Sequence, residues 1–384
     1  MRGRAFAAAL ISALAPQLDH ALRVPHVSLA STGAVAVDLT TGETLYAHNV
    51  TLPLLPASNE KLTVTYAALT ALGPAFRIET DVLQDNEGDL ILKGYGDPTL
   101  SSADLVVLAQ QVRDAGITAV HGAIVADESW FDARRTAPGW KAAFYIEESP
   151  PLSALIVDRG RVGRTTSRDP ALAAAQLFRK ALVRAGVQVA HGAVHGVAPA
   201  DAQVVASIDS PPLVSIVHSM DTVSDNFEAE MLLKELGAVQ ADAGTTAAGD
   251  GVVTGMLVQA GIPMTGVRLV DGSGLSLLDR LTPAALASLL TTMWNDPELR
   301  LELLSSLPVA GRTGTLHDRM LHGAATGVVR AKTGTTSNAS ALSGFVRDRY
   351  VFSILQNGSP ISFTWARTAQ DRFATALAVA SQQP

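Results

Sequence analysis

The sequence predicts an α+β fold, with one antiparallel sheet flanked by helices and a smaller domain inserted into the chain between its strands. Three observations carry that reading. Strand-like alternation opens the chain at 33–49 and returns only after 327. Between about 76 and 204 the pattern changes to short strands, frequent turns and two helices. Helical periodicity fills the stretches directly after Pro56 and after Pro212.

Taken in order, Ala34, Val35 and Val37 lead into the Thr40-Thr41-Gly42 turn, and Leu45 and Tyr46 follow, which is a hairpin signature. From Pro56 the apolar residues Leu62, Tyr66, Leu69 and Leu72 share one helical face, stopped by Gly73 and Pro74. In the middle region Ala115-Gly116-Ile117 leads to His121-Gly122-Ala123-Ile124-Val125. Ala185-Gly186-Val187 leads in the same way to His191-Gly192-Ala193-Val194, and each run follows an amphipathic helix. The echo reads either as a duplicated helix–strand unit or as shared turn chemistry. Pro211-Pro212 reopens a helical region containing Ser224 to Gly237. Strands at 327–335, 341–346 and 350–355 follow, then a helix at about 365–381 carrying Trp365, Phe373, Leu377 and Val379. The expected division is therefore 16–75 with 205–384 as the main domain and 76–204 as the insertion.

The chain has 384 residues, 47% hydrophobic and 17% charged, enough to bury a large core in two domains or in one domain with a big insertion. A net charge of −7 with scattered Lys and Arg argues against nucleic acid as a partner. The absence of cysteine excludes disulfides, thiolate metal sites and cysteine nucleophiles. Arg2 and Arg4, the apolar run at 5–11 and Ala13-Leu14-Ala15 read as a weak secretory signal peptide over 1–15, or as an ordinary first helix. No run approaches the roughly 18 apolar residues of a spanning helix.

Three short motifs stand in order: Ser58-Asn59-Glu60-Lys61, Ser224-Asp225-Asn226 and Lys332-Thr333-Gly334. Each alone has a bland explanation. Ser58 suits a helix cap, Asp225 and Glu228 suit a capping box, and Lys332-Thr333-Gly334 suits a hairpin end. Together they form the ordered signature of penicillin-binding proteins and class A β-lactamases. The chemistry follows from the spacing. Lys61 lies three residues beyond Ser58 on one helix face, so its amine reaches the serine hydroxyl and, when neutral, takes its proton. A second cation, Lys332, favours that neutral state. Ser224 would relay a proton to the leaving amine and Asn226 would hold a substrate amide. Lys332, Thr333 and Thr335 suit a terminal carboxylate, and Gly334 lets a peptide lie along the strand. The N–H groups of Ser58 and Thr335 would form the oxyanion hole. His191 and His195 lack the acidic support of a metal site, and Gly272-Ser273-Gly274 reads as a tight turn beside the cleft.

The sequence resembles the D-alanyl-D-alanine carboxypeptidase/endopeptidase family of low-molecular-mass class C penicillin-binding proteins. The likeness extends from the Pro56–Lys61 segment through Gly96-Asp97-Pro98-Thr99-Leu100, the run 153–159, Asp271-Gly272-Ser273-Gly274-Leu275-Ser276 and the run 310–316, to the surroundings of Lys332. The resemblance implies a penicillin-binding/β-lactamase-like transpeptidase core and action on peptidoglycan stem peptides through an acyl-serine. It also implies covalent binding of β-lactams, an extracytoplasmic location and no cofactor. A β-lactamase would need the second motif nearer the first and a Glu-containing loop after it. A wall-binding module without turnover would need a damaged motif.

Two departures stand out. The stretch between Lys61 and Ser224 is short for this family, with the loss after Arg159. Pro138-Gly139-Trp140 is followed by Lys141, Ala142, Ala143 and Phe144, with acids only at Glu147 and Glu148, where the family places an acid near the substrate side chain. Lost contacts to a remote charged group lower turnover as well as affinity. Release of D-Ala from a pentapeptide should therefore exceed cleavage of a cross-linked dimer at equal concentration, measured by chromatography of parallel digests. Faster loss of the dimer would overturn this expectation.

Overall fold

The computed structural model describes residues 14–382. It falls into two compact units. One takes the chain up to Thr70, then Val217–Asn226 and the chain from Val253; the other takes Ala71–Ile216 and Phe227–Val252.

The first unit is built on a five-stranded antiparallel sheet in the order Val329–Thr336, Ala339–Val346, Tyr350–Asn357, Thr32–Asp38, Thr44–His48. The chain's two ends meet in its interior, where Thr32 lies opposite Gln356 and Asp38 opposite Tyr350. Ala339–Val346 is buried throughout, as expected of a strand covered on both faces. On one face Leu342, Ala34 and Phe352 pack with Phe373 and Leu377 of the Phe363–Ala380 helix and with Leu14, Leu18 and Leu22 of a helix at 14–22. On the other face Trp294, from the Pro283–Asn295 helix, lies against Phe345 with ring centres 5.2 Å apart. Residues 1–13 of the expected leader lie outside the described residues, and Leu14 is part of the packed core.

The second unit has its own five-stranded sheet, in the order Ala193–His195, Ile124–Asp127, Leu90–Gly94, Glu79–Gln84, Gln203–Asp209. The helices Ser102–Asp114 and Pro170–Arg184 pack together, burying Leu105, Leu108, Val112, Phe178 and Leu182. Ser101 caps the first through a capping box with Asp104, and Asp169 caps the second at Leu172 N. The strands that follow pair in parallel, Ala119 with Gln188 and Ile124 with Ala193. The two echoing segments therefore occupy equivalent places side by side, which shared turn chemistry alone would not produce.

The boundaries differ from the expected 76–204. Gln203–Asp209 pairs with Glu79–Gln84 and carries the second unit past 204. Phe227–Val252 also belongs to it, because Phe227, Met231 and Ala238 pack with Phe131, Leu152 and Ile156. Lys234, fully buried, pairs with Asp132, and Trp130 Nε1 donates to Glu235 at 2.8 Å. Periodicity shows which helix face is apolar but not which part of the chain covers it.

Removing the Phe373 ring would leave a cavity where both chain ends meet the sheet. Phe373→Ala should cost about 3–5 kcal/mol by chemical denaturation; a loss below about 1 kcal/mol would show that this face collapses around the gap.

Candidate active site

Ser58 sits in the single 3₁₀ turn Ala57–Glu60, immediately before the Lys61–Ala71 helix. The expectation of one apolar face on that helix is not met: Lys61 through Leu69 are all buried, so the helix runs through the core. Two contacts fix the turn against the Val329–Thr336 strand. Asn59 Nδ2 donates to Lys332 O at 3.1 Å. Gly334 presses so closely that a Cβ there would lie 2.8 Å from Pro56 O and 3.1 Å from Ser58 N. Ser58 is half-buried, whereas its neighbours Asn59, Glu60 and Lys61 are buried.

Lys61 Nζ lies 3.1 Å from Ser58 Oγ, 2.8 Å from Asn226 Oδ1 and 2.7 Å from the carbonyl of Ser273. The loop that supplies this carbonyl is wound around Asp271, which accepts from Gly274 N at 2.7 Å and Ser276 N at 2.8 Å. Gly274 has φ +79, and a Cβ on it would lie 1.9 Å from Ala57 O. Only glycine allows this loop to close on the serine turn.

Ser224 links the Leu213–Val223 and Asn226–Ala241 helices with φ +64, a left-handed conformation that costs energy for a non-glycine residue. Its Oγ accepts from Lys332 Nζ at 2.8 Å, and Lys332 also donates to Thr333 O at 3.1 Å. Burial first, and the Lys61 charge second, push the Lys332 ammonium well below the usual lysine range, while Asp221 acts the other way. Thr333 Oγ1 meets Thr315 Oγ1 at 2.7 Å, which brings the 310–316 segment to the strand.

Ser58, Lys61, Ser224, Asn226, Lys332, Thr333 and Gly334 thus converge on one site. Thr335 lies one residue further along the same edge strand, exposed and paired with Ser340. The motifs alone did not reveal the Ser273 carbonyl, Thr315 or Asp221. Asp221 is fully buried one helical turn before Ser224, with Thr65 Oγ1 donating to Oδ2 at 2.7 Å and Ser306 Oγ at 3.2 Å. Its one sequence signal was an acid inside the apolar run 213–223.

A profile of the D-Ala-D-Ala carboxypeptidase 3 (S13) family matches residues 14–168 and 161–379. The chain belongs to this family. It is a D-Ala-D-Ala carboxypeptidase. A D-alanyl-D-alanine carboxypeptidase from Actinomadura sp. is 33% identical over 445 aligned positions, covering 91% of this chain and 82% of that one. A carboxypeptidase from Mycobacterium tuberculosis is 35% identical over 372 positions, covering 88% of this chain and 78% of that protein. The crystal structure of penicillin binding protein 4 from Haemophilus influenzae superposes with a TM-score of 0.82 at 22% identity, covering 96% of this chain and 98% of that one, and supports the α+β transpeptidase-like fold. The Actinomadura alignment is longer than this chain's 384 residues, so that relative carries segments this chain lacks. The family match breaks and restarts at 161–168, just after Arg159.

The contact at Gly334 gives a direct test of how the S13 family site is held. Gly334→Ala should displace the Ser58 turn and reduce the rate of acylation about 100-fold, on the scale of a 1 Å misplacement, with little change in melting temperature. Unchanged acylation would mean that the turn shifts without cost.

Proposed function

We propose that this S13 carboxypeptidase acts on peptidoglycan stem peptides outside the cytoplasm through an acyl-enzyme on Ser58, and that β-lactams acylate the same oxygen. The observation that supports this most is the environment of Lys61. Asn226 Oδ1 and Ser273 O can take both hydrogens of a neutral amine, which leaves the lone pair for the Ser58 hydroxyl 3.1 Å away. That is the arrangement a general base requires.

In the first half-reaction Ser58 Oγ attacks the carbonyl of the penultimate D-Ala as its proton passes to Lys61 Nζ. The Ser58 and Thr335 N–H groups receive the developing oxyanion. Collapse breaks the peptide bond, and the leaving amine takes the proton that Lys61 gained, relayed through Ser224, whose Oγ is held by Lys332; Lys61 is left neutral. Water then enters, loses a proton to neutral Lys61 and attacks the acyl carbonyl, and Ser58 Oγ leaves as it takes that proton back from Lys61. Until the terminal D-Ala leaves, Lys332 with the Thr333 and Thr335 hydroxyls would anchor its carboxylate. Asn226 would hold the substrate amide beside Lys61. The substrate backbone would add to the outer edge of the Val329–Thr336 strand beyond Ala331, whose N–H already pairs with Pro308 O. Among the described residues no helix is long and apolar enough to cross a membrane.

Ser58→Ala should abolish the mass adduct with benzylpenicillin and reduce turnover by roughly three orders of magnitude or more, the scale of losing a covalent nucleophile. Intact-mass measurement followed by peptide mapping is the check. An adduct that persists, or that maps to Ser224, would falsify the assignment.

A further inference from the structure

The segment 310–316 brings one hydroxyl to the site, and its local fold fixes where that hydroxyl lies. Ala310 N donates to Val329 O at 3.0 Å, which lays the segment beside the Val329–Thr336 strand. Gly311 N donates to Leu316 O at 2.9 Å and Val309 N to Thr313 Oγ1 at 3.0 Å, closing the loop on itself. Leu316 is fully buried in the core of the first unit. Gly314 has φ +53, and a Cβ on it would lie 2.2 Å from Thr222 O, two residues before Ser224. Thr315 is thereby held between the end of the Leu213–Val223 helix and the strand that carries Lys332.

Thr315 Oγ1 lies 2.7 Å from Thr333 Oγ1, and among the described residues this is the one hydrogen bond either hydroxyl makes. Thr333 is buried and Thr315 half-buried, so the pair stands at the margin of solvent. A hydroxyl has one hydrogen to give and two lone pairs to receive. Of two hydroxyls in contact, one donates and the other keeps its hydrogen for a third group. An acceptor in front of Thr333 selects the arrangement in which Thr315 donates and Thr333 turns its hydrogen outward. The bond from Thr315 polarises the Thr333 O–H, and a bond onward to an anion is charge-assisted, so each strengthens the other. Lys332 Nζ donates to Thr333 O at 3.1 Å, and a cation beside the same residue favours an anion as that acceptor. A neutral carboxamide in the same place lacks the charge and brings an N–H that competes as donor.

We infer that Thr315 is a positioning residue for this reaction: its hydroxyl donates to Thr333 Oγ1, aims the Thr333 hydrogen at the free carboxylate of the substrate, and so favours an uncapped C-terminus. The inference rests on the reading of Lys332, Thr333 and Thr335 as the carboxylate anchor. Thr315 acts through Thr333.

The test compares kcat/KM for a peptide ending in D-Ala-D-Ala with that for the same peptide ending in a carboxamide. Thr315→Val keeps the shape of the side chain and removes the hydroxyl. It should lower kcat/KM for the free acid about tenfold, the scale of one hydrogen bond to a charged group, and change the amide by less than about twofold. The loss should fall mainly on KM, since anchoring the carboxylate is what suffers. Thr315→Ser, which restores the hydroxyl, should restore the preference for the acid. An equal loss on acid and amide, or no loss on either, overturns the inference. If Thr315→Val does not fold, Thr315→Ala takes its place with the same expected ratio, and failure of both to fold makes Thr315 purely structural and also overturns it. Thr333→Val separates the two levels. A preference for the acid that survives in Thr333→Val refutes the anchor itself. A preference that is lost there but intact in Thr315→Val refutes only the role of Thr315. Adding Thr315→Val to Thr333→Val should change the ratio no further, and a second loss of about tenfold would overturn action through Thr333.

Discussion

The site depends on burying two lysines beside each other. An ammonium taken out of water loses several kilocalories per mole of hydration, and a second one nearby adds repulsion. The fold answers with acceptors drawn from distant parts of the chain. Lys61 meets a side-chain amide from position 226 and a carbonyl from position 273, and Lys332 meets a hydroxyl from position 224. No local segment could gather these. They come together because the sheet draws its strands from both ends of the chain, so that the helix after Pro56 and the strand carrying Lys332 become neighbours.

The closeness of backbone to backbone is the second constraint. At Gly334 and Gly274 the chain approaches the serine turn to within the space of a missing Cβ. Such contacts position an oxygen better than side-chain packing can, because peptide groups have no rotamers to search. They also explain why two landmarks outside the three motifs, the Asp271–Ser276 loop and the 310–316 run, border the site. One delivers a carbonyl to Lys61 and the other a hydroxyl to Thr333.

This pattern separates what could be read in the sequence from what could not. The three motifs were legible because the proposed nucleophile, base and anchor need particular side chains, and side chains are written in the sequence. The hairpin and the C-terminal strands were legible from alternation. The Ser273 carbonyl was not, since every residue has one and only the tertiary fold aims it. Asp221 is a single acid in the run 213–223, and its partners Thr65 and Ser306 lie far away in sequence. The place of Phe227–Val252 was hidden for the same reason. Its apolar face was plain, but the Phe131, Leu152 and Ile156 that cover it come from the inserted region.

The shortened insertion shows how the family can vary without touching this machinery. The family match breaks at 161–168, where Arg161–Val162 and Thr165–Thr166 pair across the two-residue turn Gly163-Arg164. The ends of a segment inserted or lost there lie side by side, so closing the gap needs only a tight turn. The cost of loop closure grows slowly with length. The second unit keeps its own core around Leu105, Leu108, Phe178 and Leu182, so its stability does not hang on the missing piece. The residues around Ser58, Lys61 and Lys332 belong to the first unit and are built from segments on either side of the insertion. The residues around Ser58 are therefore held by parts of the chain other than the one that varies in length, and length lost after Arg159 leaves their positions unchanged.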